Sequence, residues 1–118
     1  HIKTLDLSKY VHLPGRVVQA ELPTLLNQSK LFVTVAQNGS LDKAILEVMA
    51  CGLPVVSMAP GTQSLALDEF QVATDGQFID TVAKVIQSKD FTRTDNQLLV
   101  QQNHSISSLV PKIVDYYA

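Results

Sequence analysis

Glu47 is the residue of this chain whose type and setting most need a chemical explanation. It lies in SLDKAILEVMACGLPVV, Ser40 to Val56, where Leu41, Ala44, Ile45, Val48 and Met49 recur at three and four residues and predict a helix with a buried face. A carboxylate between Leu46 and Val48 has to reach solvent, pair with a cation or receive donors, because unpaired burial costs several kcal/mol. Lys43, four residues earlier, offers the pairing, in the weaker Lys-before-Glu order worth about 0.2–0.5 kcal/mol. The functional alternative is that the two carboxylate oxygens accept hydrogen bonds from two vicinal hydroxyls of a sugar. The pattern leaves both readings open.

In an open parallel sheet, ligands gather at the carboxyl ends of the strands, so the turns that leave strands come next. Three such turns each hold a glycine: Leu13 to Val17 (LPGRV), Ala36 to Ser40 (AQNGS) and Met58 to Gln63 (MAPGTQ). In the middle one, Gly39 admits close backbone approach. Ser40, Leu41 and Asp42 stand at a helix start whose free N–H groups suit a phosphate or pyrophosphate. Capping by Ser40, with Asp42 complementing the helix dipole, accounts for the same residues without any ligand. Arg16, after the first strand, contacts a phosphate or base, or is a solvated surface arginine. Gly61 and Thr62 in the third turn, and Lys43 beside Glu47, are further candidates for the same ligand.

Other chemistries find less support. His12 and His104 have no second His, Cys or acidic residue at metal-ligand spacing, and no Asp-x-Asp occurs, so no metal is expected. Cys51, with no His or basic group beside it to activate it, reads as a small buried side chain. Ser57 lacks a nucleophile-elbow pattern, PGTQS is not a phosphate-binding P-loop, and no G-x-G-x-x-G is present.

The elements that must position these residues follow from periodicity and punctuation. Tyr10 to Leu13 predicts a short strand stopped by Pro14-Gly15. Leu22, Leu25 and Leu26 predict a short helix, and the unbroken apolar run Leu31 to Val35 a strand covered on both faces. The helix from Leu41 to Cys51, N-capped by Ser40, ends at Gly52 and Pro54, and LPVVSM predicts the next strand. A loop with one helical turn spans APGTQSLALDE, and FQVAT is a candidate fourth strand. Helices are predicted over Gly76 to Ser88, from Asp95, and over Ile106 to Tyr117.

Strands alternating with helices across short loops imply an α/β fold, a Rossmann-like three-layer parallel sheet with helices on both faces. With 118 residues, 46% hydrophobic and 17% charged, the chain predicts one folded domain over residues 1–118. Nine basic residues against eleven acidic ones give a net charge of −2 with no basic cluster, which excludes nucleic acid as an expected partner. The single cysteine suits a reducing compartment, the apolar runs are too short to span a membrane, and the N-terminus lacks a signal-peptide pattern. A cytoplasmic protein is expected. The start at His1 and the small number of strands suggest part of a longer chain.

Three segments together, YVHLPGRVVQAELPTLLNQSKLFVTVA, GSLDKAILEVMACGLPVVSM and NHSISSLVPKIVDYY, resemble the C-terminal, donor-binding domain of GT-B glycosyltransferases of the family 4, or group 1, type. Glu47 to Val56 (EVMACGLPVV) matches the family block E-A-M-A-x-G-x-P-V-V at all but one named position. The similarity covers nearly the whole chain and is looser from Met58 to Gln102. It implies that Glu47 is the second glutamate of the E-x7-E motif and holds the nucleotide ribose. The backbone of Gly39, Ser40 and Leu41 would cradle the diphosphate, and Gly15, Arg16 and Val17 would line the base pocket. The first motif glutamate falls at Gly39 and is absent, and Pro60-Gly61-Thr62-Gln63 departs from the Gly-Gly-x-x-Glu turn often found there.

The resemblance further implies transfer of a sugar, with retention of configuration, from a UDP- or GDP-linked donor to a polysaccharide or glycolipid acceptor. No cofactor besides the nucleotide sugar is implied. The N-terminal acceptor domain and the basic pair that neutralises the leaving diphosphate would lie elsewhere in a longer protein, so this chain alone is expected to be inactive. Work at the inner membrane face, by peripheral association, would suit a lipid-linked acceptor. A module that kept the Rossmann-like scaffold but lost the sugar site is the alternative.

Overall fold

The computed structural model describes residues 1–37, 39, 41–65, 67, 70–88 and 94–117. In chain order a 3-10 turn (Gln19–Glu21) leads into α1 (Leu22–Gln28), β1 (Phe32–Thr34), α2 (Lys43–Ala50) and β2 (Val55–Ser57). A second 3-10 stretch (Pro60–Leu65) follows, then α3 (Asp75–Gln87), α4 (Thr94–Asn103) and α5 (Ile106–Tyr117). β1 and β2 pair in parallel, with Phe32 opposite Val55, Val33 opposite Val56 and Thr34 opposite Ser57. A parallel pair needs a crossover, and α2 provides it.

α2 is bounded by local chemistry at both ends. Asp42 is its N-cap, and one carboxylate oxygen accepts from the Ala44 amide at 3.0 Å. At the other end Gly52 takes a φ of +76°, a left-handed conformation that costs a residue with a Cβ about 1–2 kcal/mol. The Gly52 amide donates to the Met49 carbonyl at 2.8 Å and the Leu53 amide to the Val48 carbonyl at 3.2 Å, which satisfies the last helical carbonyls. Cys51, the C-cap, is half-buried against the core.

All three residues of β2 are buried, and its alternating side chains enter two different clusters. Val55 packs with Ile45, Val48 and Met49 of α2 and with Leu26 and Leu65. Val56 packs with Val72 and with Val85 of α3. α4 rests on α2, contributing Leu99 and Val100 to the first cluster, and the Asn96 Nδ2 donates to the Leu53 carbonyl at 2.7 Å. Helix α3 begins at a Thr74 cap whose hydroxyl accepts from the Gln77 amide at 3.3 Å. α5 carries Pro111 in its interior and has no buried residue.

Several sequence expectations are corrected. Tyr10 to Leu13 is not a strand: the Tyr10 and Val11 amides both donate to the Leu7 carbonyl, which closes a turn, and Tyr10 and Leu13 are exposed. A β-prone run becomes a strand only when another strand meets it, and among the described residues none does here. FQVAT forms no fourth strand but a single parallel bridge between Gln71 and Ser57, with the Val72 amide donating to the Ser57 carbonyl at 2.9 Å. Among the described residues the sheet therefore has two strands instead of the three or four foreseen. β1 is not covered on both faces, because Val33 and Val35 are exposed. The crossover helix starts at Lys43 rather than Leu41, with Asp42 as its cap; Ser40, the expected cap, lies outside the described residues.

No helix among the described residues is long and apolar enough to cross a membrane. The radius of gyration is 16.2 Å against about 13.5 Å for a compact domain of this length. The accessible surface is 8790 Å², against about 6,300 Å² for a compact monomer of this mass.

Candidate functional site

The register of the two strands sets the place of the site. Thr34 and Ser57 lie opposite each other, and the Met58 amide donates to the Thr34 carbonyl at 3.0 Å. The loop after β1 and the loop after β2 therefore leave the sheet side by side, at its carboxyl end. α2 runs back from that end, so its N-terminus belongs to the same region.

Within α2 the buried stripe is Ile45, Val48 and Met49, whereas Lys43, Glu47 and Ala50 are exposed. Glu47 thus resolves the conflict between a carboxylate and an apolar helix by reaching solvent on the opposite face. It lies four residues, about 6 Å along the axis, from the first helical residue. Both oxygens are open to donors from outside the helix. Lys43 is on the same exposed stripe, one turn nearer the N-terminus.

At the helix start, Gly39 is exposed, and a Cβ built there would meet nothing within 4 Å. Leu41 is half-buried and packs against the first core cluster, which ties down the entry to α2. Ser40 lies outside the described residues. The Asp42 carboxylate already takes the Ala44 amide and puts a negative charge at the helix end.

The segment after the expected first strand is open. Gly15 has a φ of +75° with nothing near its absent side chain, Arg16 is exposed and Val17 half-buried. Pro14, Val17, Glu21, Thr24, Leu25 and Gln28 line a shallow groove beside this segment.

The turn after β2 is built differently. Thr62 is fully buried and Gly61 half-buried. The Thr62 and Ser57 hydroxyls lie 2.7 Å apart, the Ser57 Oγ accepts from the Ala59 amide at 3.0 Å, and Thr62 also bonds the Ala59 carbonyl at 2.7 Å and the Gln71 Oε1. The Gln71 Nε2 donates to the same Ala59 carbonyl at 3.1 Å. Gln71 was not singled out from the sequence, and Ser57 was weighed there only as a nucleophile. The available signal was a polar residue inside each of two apolar runs, LPVVSM and FQVAT.

His12 is exposed, His104 half-buried, and among the described residues no group of three or more His, Cys, Asp or Glu side chains could hold a metal. Comparison with known proteins then bears on what this arrangement serves. A family model described as glycosyl transferases group 1 matches residues 1–115. No curated protein and no solved structure matches the chain.

Proposed function

Because the chain belongs to the group 1 glycosyltransferases, we propose that it forms the nucleotide-sugar binding part of a retaining enzyme that transfers a sugar to a polysaccharide or glycolipid acceptor. The observation that carries this reading is the placement of Glu47 on the open face of α2, at the carboxyl end of a parallel strand pair. There its two oxygens accept from the ribose hydroxyls, and the one-turn spacing from the helix start leaves the diphosphate beside Gly39, Ser40 and Leu41. Lys43, on the same stripe, supplies positive charge near the phosphates. The groove beside Gly15, Arg16 and Val17 takes the base.

In the reaction, the bond between the sugar's anomeric carbon and the diphosphate oxygen breaks, and the diphosphate leaves with the electron pair. The acceptor hydroxyl forms the new bond on the same face and passes its proton to the departing diphosphate oxygen. In this reading the chain binds and orients the donor, an N-terminal domain binds the acceptor, and a basic pair from the opening portion of the C-terminal domain neutralises the leaving diphosphate. No metal and no cofactor besides the UDP- or GDP-linked donor are required. The setting is the cytoplasm or the inner membrane face.

Calorimetric titration of the full-length protein with UDP and with GDP, wild type beside Glu47→Ala, tests the reading. One nucleotide should bind, and Glu47→Ala should weaken it at least about tenfold, the scale of losing hydrogen bonds to a charged acceptor. Absence of binding to either nucleotide would instead favour a Rossmann-like module that has lost its donor site.

A further inference from the structure

We propose that α5 is an interaction surface for a second copy of this chain, the two α5 helices pairing antiparallel about a two-fold axis midway between the levels of Val110 and Ile113. The inference is independent of the donor site.

α5 is amphipathic in the opposite sense to a helix packed on its own domain. From Ile106 to Tyr117 only Ser108 is half-buried, and its hydroxyl donates to the Ser105 carbonyl at 2.9 Å, within the cap that starts the helix. Ile106, Leu109, Val110, Ile113, Val114 and Tyr117 form one stripe at helical spacing and are between 39 and 83% exposed. At 3.6 residues per turn, Ser108 lies opposite the middle of that stripe. The helix therefore turns its polar side toward α4 and its apolar side away from the protein. With Tyr116 at its margin the stripe exposes roughly 800 Å², from about 60–120 Å² for each aliphatic side chain and about 150–250 Å² for each tyrosine. A standard-size interface takes about 800 Å² from each partner.

The spacing, the charges and the surface of the whole chain point to a second copy as the occupant. The stripe reads the same from either end, its residues separated by three, one, three, one and three positions. Two antiparallel copies therefore set Ile106 against Tyr117, Leu109 against Val114, and Val110 against Ile113, apolar on apolar at every level, as an isologous interface requires. Antiparallel alignment also places the helix dipoles head to tail. α5 carries one cation, Lys112, and one anion, Asp115, the latter on the face away from the stripe. It thus lacks the basic face that an anionic lipid surface would select, and little charge opposes the approach of two copies. The chain exposes about 2,500 Å² more than a compact monomer, and pairing through α5 covers part of that excess.

Sedimentation velocity of the full-length protein over a concentration series tests the pairing, with Ile113→Asp and Asp115→Asn beside the wild type. Wild type and Asp115→Asn should pass from monomer to dimer with a midpoint of the order of 10 μM, as a seam without a deep anchoring pocket would. Ile113→Asp puts two charges beside the axis and should weaken association at least about tenfold. No residue of α5 is buried, so these changes leave the fold intact. Hydrogen exchange of α5 should slow as concentration rises through the same range, the free helix being the form below it. For the register, copies carrying Ile106→Cys and copies carrying Tyr117→Cys should join through a short thiol cross-linker only when mixed, because the two Ile106 positions of a pair lie about 16 Å apart along the axis. The unsubstituted protein controls for Cys51. A protein monomeric at every concentration, its stripe covered by another part of the longer chain or by lipid, overturns the proposal. A dimer indifferent to Ile113→Asp, or cross-linking of Ile106→Cys copies with one another, overturns it as well.

Discussion

At the scale of single residues, the two acidic groups of α2 do opposite things. Glu47 faces solvent and is free to accept donors, while the Asp42 carboxylate is committed to the Ala44 amide at the helix start. In the donor-site reading, Asp42 is then a negative charge beside a diphosphate. Asp42→Asn keeps an amide oxygen for the cap and removes the charge, so it should tighten UDP or GDP binding about two- to fivefold, the scale of about 0.3–1 kcal/mol for one charge at a helix end. The gain should shrink as salt is raised from low to physiological strength, and calorimetry at two ionic strengths checks both statements. Asp42→Ala, by contrast, loses the cap and should lower stability by about 1 kcal/mol, read from a denaturant midpoint. Glu47 was legible in the sequence because a carboxylate inside an apolar heptad-like run is a visible anomaly. Thr62 was named from the sequence only as a candidate for the ligand; its buried bonds were not legible, because they depend on Ser57 and Gln71, five and nine residues away, and on how a later segment returns to β2.

Among the elements, those whose signals are local came through. α1, α2, α3 and α5 sit where apolar spacing placed them, and Gly52 and Thr74 mark a helix end and a helix start by hydrogen bonds within a few residues. The strands separate into two kinds. β1 and β2 are joined by one crossover helix and pair as the alternation of strand and helix implied. Among the described residues Tyr10 to Leu13 meets no strand and FQVAT meets β2 at a single bridge, which no local pattern reports. The helix start was misplaced because Ser40 and Asp42 are both good cap residues two positions apart; the Asp42 carboxylate takes the Ala44 amide, and Ser40 lies outside the described residues. The Gly52 turn gives a sharp test at this scale. Gly52→Ala forces a Cβ into a φ of +76° and should destabilise the chain by about 1–2 kcal/mol without altering α2's exposed face, so nucleotide affinity of the folded protein should stay within about twofold. Chemical denaturation and the UDP or GDP titration together check it.

The whole molecule exposes more surface than its mass requires. Its 8790 Å² is about 2,500 Å² above a compact monomer, and the apolar side chains Leu109, Val110, Ile113 and Val114 of α5 are part of that excess. Unfolding therefore uncovers less new surface, and the urea dependence of stability should be about a fifth shallower than for a compact domain of 118 residues. A slope at the compact value would mean that α5 and the N-terminal segment fold over in solution. The sealing of β2 between two clusters, set against an α5 with no buried residue, also orders the ways in which the molecule opens. Amide protons of Val55, Val56 and Ser57 should exchange with deuterium only through global unfolding, whereas those of α5 escape through separate, low-energy openings that leave the strand pair intact. The chain would then behave as a firm unit spanning β1, α2 and β2 with a loosely held periphery; Glu47 is carried by the firm part, and the groove beside Gly15, Arg16 and Val17 lies outside it.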